Sequence, residues 1–424
     1  MKPFRFIHAA DLHLDTPFHG IGRVAPAVAD VLQRASLDAW DALVRFTIEQ
    51  EAAFLLLAGD IYDGAQRGLR AQLRFRRGLE QLAERDIETF IVHGNHDPLD
   101  GWSAIRTWPP GVTVFGSTSV QSVAVVRAGI TLATVHGISY AKRDTTENLA
   151  LGFNRTPADG LHIGLLHCHV GENTEHARYS ACSVDDLVRA KLDYWALGHV
   201  HRSQLLSDAD PLIVYPGCLQ GRSTHPAERG PKGALVIEAD EVGIQAIHFE
   251  PLDQVRFLDF ELDVGTVDDV PGLQRALTSE ASELRKANDG RGLVLRAHLT
   301  GRGEVHRDLL RQDVRPGLVA ELRREADGNR PFLWWSGIED HSRLVRDLDG
   351  VRARGDFSSE LLRLSDLLGE DSERRDQWLF DELEPLRRGS LQRWLGGASS
   401  ADPAEMIQRA RSLALDILED GLDR

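Results

Sequence analysis

The sequence is poor in cysteine and in long apolar runs, and each scarcity excludes a class of protein. Its three cysteines, Cys168, Cys182 and Cys218, are odd in number and lack metal-ligand spacing, which excludes a disulfide framework. We therefore expect a reduced, cytoplasmic protein. No apolar run approaches the ~20 residues of a membrane helix, and the first residues lead into a predicted strand rather than a signal peptide. We expect no association with a membrane.

Positive charge is scarce as well. The chain has 49 lysines and arginines against 65 aspartates and glutamates, a net charge of -16, which argues against nonspecific binding of a polyanion by the whole surface. An acidic ligand must therefore be bound by a local patch or by metal ions. The length of 424 residues and the hydrophobic fraction of 42% predict two or three globular domains.

Short apolar strands alternate with helical stretches over residues 1–250, which predicts a layered α/β domain. Residues 256–340 predict a small β-α-β-α-β unit, and residues 341–424 predict only helices. Five strands of the first region end next to a residue that can bind a metal. In open α/β sheets, ligands bind at the carboxyl ends of the strands. This edge is the candidate functional site.

Five motifs at these strand ends carry the candidate chemistry. In chain order they are Asp11-Leu12-His13, Gly59-Asp60, Gly94-Asn95-His96-Asp97, His167, and Gly198-His199-Val200-His201. Converging carboxylates and imidazoles can hold two metal ions for an in-line phosphoryl displacement, with Asp60 as the natural bridging ligand. Alternate residues of an extended segment share a face, so the Asp-x-His and His-x-His pairs can each supply two ligands. The glycines before the ligands allow sharp turns. Mixed nitrogen and oxygen donors favour Mn2+ or a similar divalent ion.

On these motifs the sequence resembles the calcineurin-like metallophosphoesterases, and within them the bacterial SbcD/YhaO-type DNA repair nuclease subunits. The matching segments are Phe6-Ile-His-Ala-Ala-Asp-Leu-His-Leu-Asp, Leu57-Ala-Gly-Asp-Ile-Tyr-Asp and Val92-His-Gly-Asn-His-Asp-Pro. The resemblance implies a four-layer α-β-β-α metallophosphoesterase sandwich over residues 1–250. It implies a small α/β capping domain over residues 256–340 and a helical C-terminal region over residues 341–424.

The resemblance also implies a role for each motif residue. One metal ion would be held by Asp11, His13, Asp60 and His201, and the second by Asp60, Asn95, His167 and His199. His96 would act on the transition state or leaving group, oriented by Asp97. The chemistry agrees independently, because an imidazole beside the cluster can donate a proton to a leaving alkoxide. His169 stays an alternative to His167. Asp63 replaces a histidine of eukaryotic and archaeal relatives, which leaves the balance of exonuclease and endonuclease activity open.

Four arginines after the Asp60 motif fall on one face of a predicted helix: Arg67, Arg70, Arg74 and Arg77. Two interpretations stand side by side. The row contacts the phosphates of DNA, or it is a solvated helix face that pairs with Glu80 and Glu84.

The C-terminal tail offers a candidate partner surface. After a helix-start signal at Asp402-Pro403, a broad apolar stripe is formed by Met406, Ile407, Ala410, Leu413, Ala414, Ile417 and Leu418. The stripe either packs against helices around 361–368 and 378–386, or it docks onto the coiled coil of an SMC-like ATPase, as the resemblance implies. A second copy of the chain is a further candidate partner.

These observations favour a metal-dependent DNA nuclease with two divalent ions, Mn2+ being the expected metal. The resemblance implies a 3′–5′ exonuclease, with endonuclease activity besides, that acts in DNA repair with an SMC-like ATPase. Two alternatives are a small-molecule phosphodiesterase and a catalytically silent scaffold. The intact ligand set argues against the scaffold, and the two additional regions argue against a minimal small-molecule enzyme.

Overall fold

The computed structural model describes residues 3–16, 26–64, 68–171, 180–328, 331–370, 377–378 and 403–420. The chain forms two compact units, one of residues 1–301 with 305–342 and the other of residues 302–304 with 343–424. Among the described helices, none is long and apolar enough to cross a membrane.

Two six-stranded mixed sheets form the centre of the first unit. The first sheet contains β1 (Phe4–Ala9), β2 (Phe54–Ala58), β3 (Glu88–Val92), β4 (Val112–Val114), β11 (Gly233–Ala239) and β12 (Ile244–Pro251), in the order β12-β11-β1-β2-β3-β4. The second contains β5 (Gln121–Arg127), β6 (Ile130–Gly137), β7 (Leu161–His167), β8 (Tyr194–Gly198), β9 (Gln204–Ser207) and β10 (Leu212–Tyr215), in the order β5-β6-β7-β8-β10-β9. Strands β1 to β4 are parallel, as are β6, β7, β8 and β10.

Helices cover the outer face of each sheet. They are α1 (Pro26–Glu49) and α2 (Leu69–Ala83) on the first sheet, and α3 (Val184–Arg189) on the second. Strand β2 shows why the layers form, because all five of its residues are apolar and buried. Leu55 and Leu57 face the core beneath α1 and α2, whereas Phe54, Leu56 and Ala58 face the core between the sheets. The four-layer α-β-β-α sandwich is therefore confirmed.

A smaller parallel sheet completes the first unit. It contains β13 (Val255–Asp263), β14 (Gly292–Thr300) and β15 (Leu333–Asp340), with helices α4 (Val270–Ala287), α5 (His306–Leu309) and α6 (Val314–Ala326). This is the predicted β-α-β-α-β unit. One face of β14 packs against these helices. On its opposite face, Val294 joins Phe257 of β13 in a core with Val28 and Leu32 of α1, which ties the small sheet to the sandwich.

The part of the second unit that the structure describes contains helices. Its helices are α7 (Leu348–Ala353), α8 (Phe357–Glu370) and α9 (Pro403–Asp420). Val351, Leu362 and Leu415 form its buried centre. Of the predicted apolar stripe, Ile407 is buried, whereas Leu413 is 61% exposed. Asp402, the predicted helix cap, lies outside the described residues.

Candidate metal centre

The loops after the parallel strands of both sheets meet at one edge of the sandwich. Asp11 and His13 follow β1, Asp60 follows β2, Asn95 follows β3, His167 ends β7, and His199 and His201 follow β8. Five of these seven side chains are buried, and the last two are half-buried. The structure thus brings together all seven residues that the sequence predicts as ligands.

The donors of the first group converge around His13. Its Nε2 atom lies 3.3 Å from Nε2 of His201 and 3.8 Å from Oδ2 of Asp60. Oδ1 of Asp11 lies 4.0 Å from the same His201 nitrogen. The other nitrogen of His201 is 2.7 Å from Oε1 of Glu228. That hydrogen bond holds a proton on Nδ1 of His201 and turns the lone pair of Nε2 toward His13.

The second group converges around His167. Its Nδ1 atom donates to the backbone carbonyl of Ala58 at 2.9 Å, which leaves the lone pair on Nε2. That nitrogen lies 3.0 Å from Oδ1 of Asn95 and 3.4 Å from Oδ2 of Asp60. The His199 ring meets the His167 ring edge-on, with centroids 5.2 Å apart. The same oxygen of Asp60 therefore approaches both groups, as a bridging carboxylate requires.

The donor set fits two divalent cations. In each group, two atoms that can ligate a metal approach one another to 3.0–3.3 Å, close enough to share one cation. Burial, together with repulsion from Asp60, raises the pKa of Asp11. Burial, with the positive charge of Arg222, holds the pKa of His13 well below its usual value and keeps its imidazole neutral. Buried carboxylates beside neutral imidazoles are a ligand set for divalent metals.

The backbone of the site is strained at the ligands. Asp11, Asp60 and His199 adopt positive φ angles of 51°, 50° and 107°. This conformation lets the His199 amide donate to both carboxylate oxygens of Asp11, at 3.0 and 3.1 Å. The His96 amide likewise donates to Oδ1 of Asp60 at 2.9 Å. Backbone donors thus orient both carboxylates.

Glycine is required at the three motif positions for two different reasons. Gly59 has a φ of +90°, as the expected sharp turn requires. The other two have no such angle, and space explains them instead. A Cβ on Gly94 would overlap Asp60 and His167, and a Cβ on Gly198 would overlap the Ala58 carbonyl. These glycines allow the loops to close around the ligands.

The expectation that Asp97 orients His96 is wrong. Nδ1 of His96 is hydrogen-bonded to Oδ1 of Asp63 at 2.7 Å. The buried Asp97 carboxylate instead accepts from His93 at 2.9 Å and from the amides of Ile61 and Gly94. The bond to Asp63 raises the pKa of His96 against the opposing effect of burial. Asp63 therefore occupies the position behind His96 and favours its protonated form.

Two functional candidates escaped the sequence reasoning. Glu228 is buried and bonded to His201, and Arg222 lies 3.3 Å from both Glu228 and Asp63. Burial alone would raise the pKa of Glu228, but the hydrogen bond from His201 and the charge of Arg222 outweigh it and hold that pKa low. Both residues lie in the loop between β10 and β11, where no local pattern marks them.

The structure places His169 and Cys168, the neighbours of His167, in different surroundings. His169 is buried with its ring centroid 6.0 Å from that of His199, but it is Nε2 of His167 that lies beside Asp60 and Asn95. Cys168 lies in the apolar core around α3, and burial raises the pKa of its thiol. Its surroundings are those of a core thiol.

The three described arginines of the row line one surface depression. Arg67 lies outside the described residues. Arg74 pairs with Asp38 and Asp41 of α1, at 2.6 Å each, and so holds α2 against α1. Arg70, Arg74 and Arg77 line this depression together with Asp41, Leu69 and Leu73. Arg74 thus forms ion pairs between two helices. Its partners are aspartates of α1, not the glutamates of α2 that the second interpretation named.

The sequence is similar to those of known metallophosphoesterases. Residues 4–203 match the family described as calcineurin-like phosphoesterase, and residues 257–343 match the middle domain of metallophosphoesterase YhaO. The chain is 31% identical over 415 residues to the uncharacterized metallophosphoesterase YhaO of Bacillus subtilis, covering 97% of this chain and 96% of that protein.

Two further relatives cover less of the chain. A subunit of the nuclease SbcCD of Bacillus subtilis is 27% identical over 249 residues, which is 50% of this chain and 61% of that protein. The DNA double-strand break repair protein Mre11 of Sulfurisphaera tokodaii is 24% identical over 258 residues, which is 59% of this chain and 64% of that protein.

Proposed function

The chain belongs to the calcineurin-like metallophosphoesterase family, and we propose that it is a metal-dependent nuclease that hydrolyses phosphodiester bonds in DNA. The observation that carries this proposal is the convergence of two donor groups on one oxygen of Asp60. Two bound metal ions would activate a water molecule and neutralise the charge that develops on the phosphate. Membership of the family confirms the resemblance seen in the motifs.

The two donor groups support a proposed ligand set for each ion. Asp11, His13, Asp60 and His201 would hold one ion, and Asp60, Asn95, His167 and His199 the other. We propose Mn2+ as the metal, because the donors are carboxylate, amide and imidazole groups without a thiolate.

His96 acts on the leaving group rather than on the metal. Its ring is 34% exposed and lies edge-on to the His13 ring, with centroids 5.0 Å apart. The bond from Nδ1 to Asp63 leaves Nε2 to hold the proton that a leaving alkoxide needs. Arg222 pairs with Asp63 on its other oxygen, at 3.3 Å, and so keeps that carboxylate in place.

DNA is the proposed substrate for two reasons. The partial relatives are, by their names, part of a nuclease and a DNA double-strand break repair protein. The small sheet and the helical second unit are also additional to what a minimal small-molecule phosphodiesterase needs. A 3′–5′ exonuclease with some endonuclease activity, acting in DNA repair, is the form we propose.

The second unit suits a helical partner. Four large apolar side chains of α8 and α9 are between 42% and 66% exposed, namely Leu364, Leu367, Leu413 and Ile417. An amphipathic helix can bury such a surface. We therefore propose an SMC-like coiled-coil ATPase as the partner and a cytoplasmic location for the complex, in keeping with three buried free thiols.

One experiment tests the proposed function. Linear duplex DNA labelled at either end is incubated with full-length protein and Mn2+, beside bis-p-nitrophenyl phosphate as a small diester. We expect shortening of the DNA from its 3′ ends and loss of both activities in Asp60→Asn. Hydrolysis of the small diester without any cleavage of DNA would favour a small-molecule phosphodiesterase. Activity toward neither substrate would favour the scaffold.

A further inference from the structure

A second cluster of metal-binding side chains lies on the small sheet. His298 of β14 stands directly opposite Glu339 of β15 in the parallel register. His341 follows two residues later, and its amide donates to the Leu299 carbonyl at 2.9 Å, which continues the ladder. Alternate residues of a strand share a face, so all three side chains stand on the face opposite the helices. None of them belongs to the catalytic groups.

The donor atoms of this cluster are close enough to share one ion. Nδ1 of His298 lies 3.3 Å from Oε2 of Glu339, and Nε2 of His341 lies 3.8 Å from the same oxygen. One donor atom from each of the three residues lies within 4.8 Å of the others. The two imidazole rings are nearly parallel, with centroids 5.9 Å apart.

Neighbouring groups prepare two of the three ligands. Nε2 of His298 is 2.8 Å from Oδ2 of Asp259, so the proton sits on that nitrogen and the lone pair of Nδ1 points toward Glu339. A carboxylate behind an imidazole is the usual support of a metal-binding histidine. Nη1 of Arg296 donates to Oε1 of Glu339 at 2.8 Å, which leaves Oε2 for the cluster. Arg229 pairs with the same oxygen of Asp259 at 2.7 Å.

We propose that His298, Glu339 and His341 form a third metal site, which binds Zn2+. Two imidazoles and one carboxylate are a known zinc ligand set, with a water molecule in the fourth position. His341 is 61% exposed, so the site is open to an ion from solvent. The ion would cross-link β14 to the end of β15.

The site also lies next to the catalytic loop. Arg296 and Asp259, which support its ligands, contact Thr224 and Arg229. These two residues belong to the loop that carries Arg222 and Glu228 into the catalytic centre. Zinc on the small sheet would therefore stabilise the surface against which this loop rests.

The test counts metal ions bound to the full-length protein. Protein freed of metal with a chelator is titrated with Zn2+ by calorimetry, and with Co2+ by visible absorption. We expect His298→Ala and His341→Ala each to bind one Zn2+ fewer than the parent and to lose one Co2+ absorption component. His248→Ala, which removes an exposed histidine of β12, is the matched control and should bind as the parent does.

A further variant separates a ligand from a merely structural residue. Asp259→Asn should weaken the third Zn2+ by ~10–100-fold, because it removes the charge behind His298 without removing a ligand. Circular dichroism checks that each variant is folded, and the exposed position of His341 makes its variant the safest. Equal zinc stoichiometry in the parent and in folded His341→Ala would overturn the proposal.

Discussion

Glu228→Gln tests the support of a metal ligand without touching the ligand itself. Oε1 of Glu228 accepts the proton of His201 Nδ1 at 2.7 Å, in a buried position. The negative charge of Glu228 makes the imidazole a stronger donor at Nε2, the nitrogen that faces His13. Glutamine keeps the shape and one acceptor oxygen but removes the charge. The substitution should therefore weaken the binding of the metal ion at the His201 position and leave the other position unaffected.

The size of the effect follows from the contacts. Loss of a group behind a metal-binding histidine costs ~10–100-fold in metal affinity, which is about 1.4–2.7 kcal/mol at 1.36 kcal/mol per tenfold. Because glutamine retains the acceptor, we expect Glu228→Gln to lower the affinity for the metal by about tenfold, near the lower end of this range. Glu228→Ala removes the acceptor as well and should approach ~100-fold.

Calorimetry with Mn2+ and hydrolysis of bis-p-nitrophenyl phosphate at increasing Mn2+ measure the effect. We expect a rightward shift of the metal dependence, with the rate at saturating Mn2+ close to that of the parent. Glu238→Gln is the control, because this glutamate pairs with Arg5 away from the metal centre and both side chains are exposed. Unchanged Mn2+ affinity in Glu228→Ala would refute the role assigned to Glu228.

Three further substitutions test other parts of the site. His96→Ala should lower the rate by ~10²–10⁴-fold while Mn2+ affinity is retained, since a proton donor is lost; loss of metal binding would make it a ligand. Asp63→Asn removes the negative charge of the hydrogen-bond partner that raises the pKa of His96. His96 then loses its proton at lower pH, so the alkaline limb of the pH–rate profile should shift to lower pH. An unshifted limb would contradict this. Gly198→Ala should lower the free energy of unfolding in urea by about 1–3 kcal/mol, because its Cβ would overlap a backbone carbonyl; an unchanged midpoint would contradict that overlap.

The ligand positions were predictable because they are local. Each follows a short apolar strand directly, and parallel strands bring their carboxyl ends to one edge whatever the details of the loops. Asp60 shows this most clearly, since it comes one glycine after β2. His167, the last residue of β7, follows the same rule.

The groups that orient the ligands were not predictable, because they are distant in sequence. Asp97 is adjacent to His96 along the chain, but its carboxylate accepts from the Gly94 amide three residues back and therefore turns into the fold. Asp63 and Glu228 reach the imidazoles only after the loops have closed. The partners of Arg74 were unpredictable for the same reason, because they lie on α1 and not on its own helix.

The two metal positions differ in the groups that accept hydrogen bonds from their imidazole ligands, and therefore in their expected affinity. Around the first, Nδ1 of His201 is backed by the carboxylate of Glu228 at 2.7 Å, and Asp11 contributes a charged ligand. Around the second, Nδ1 of His167 donates to a neutral carbonyl at 2.9 Å and lies 4.0 Å from Oδ1 of Asp11, and Asn95 contributes a neutral amide oxygen. Charged supports and ligands strengthen the binding of a cation more than neutral ones. We therefore expect Mn2+ to bind in two steps in calorimetry, with the tighter step weakened by Glu228→Gln; a single step of two equal sites would contradict the inequality.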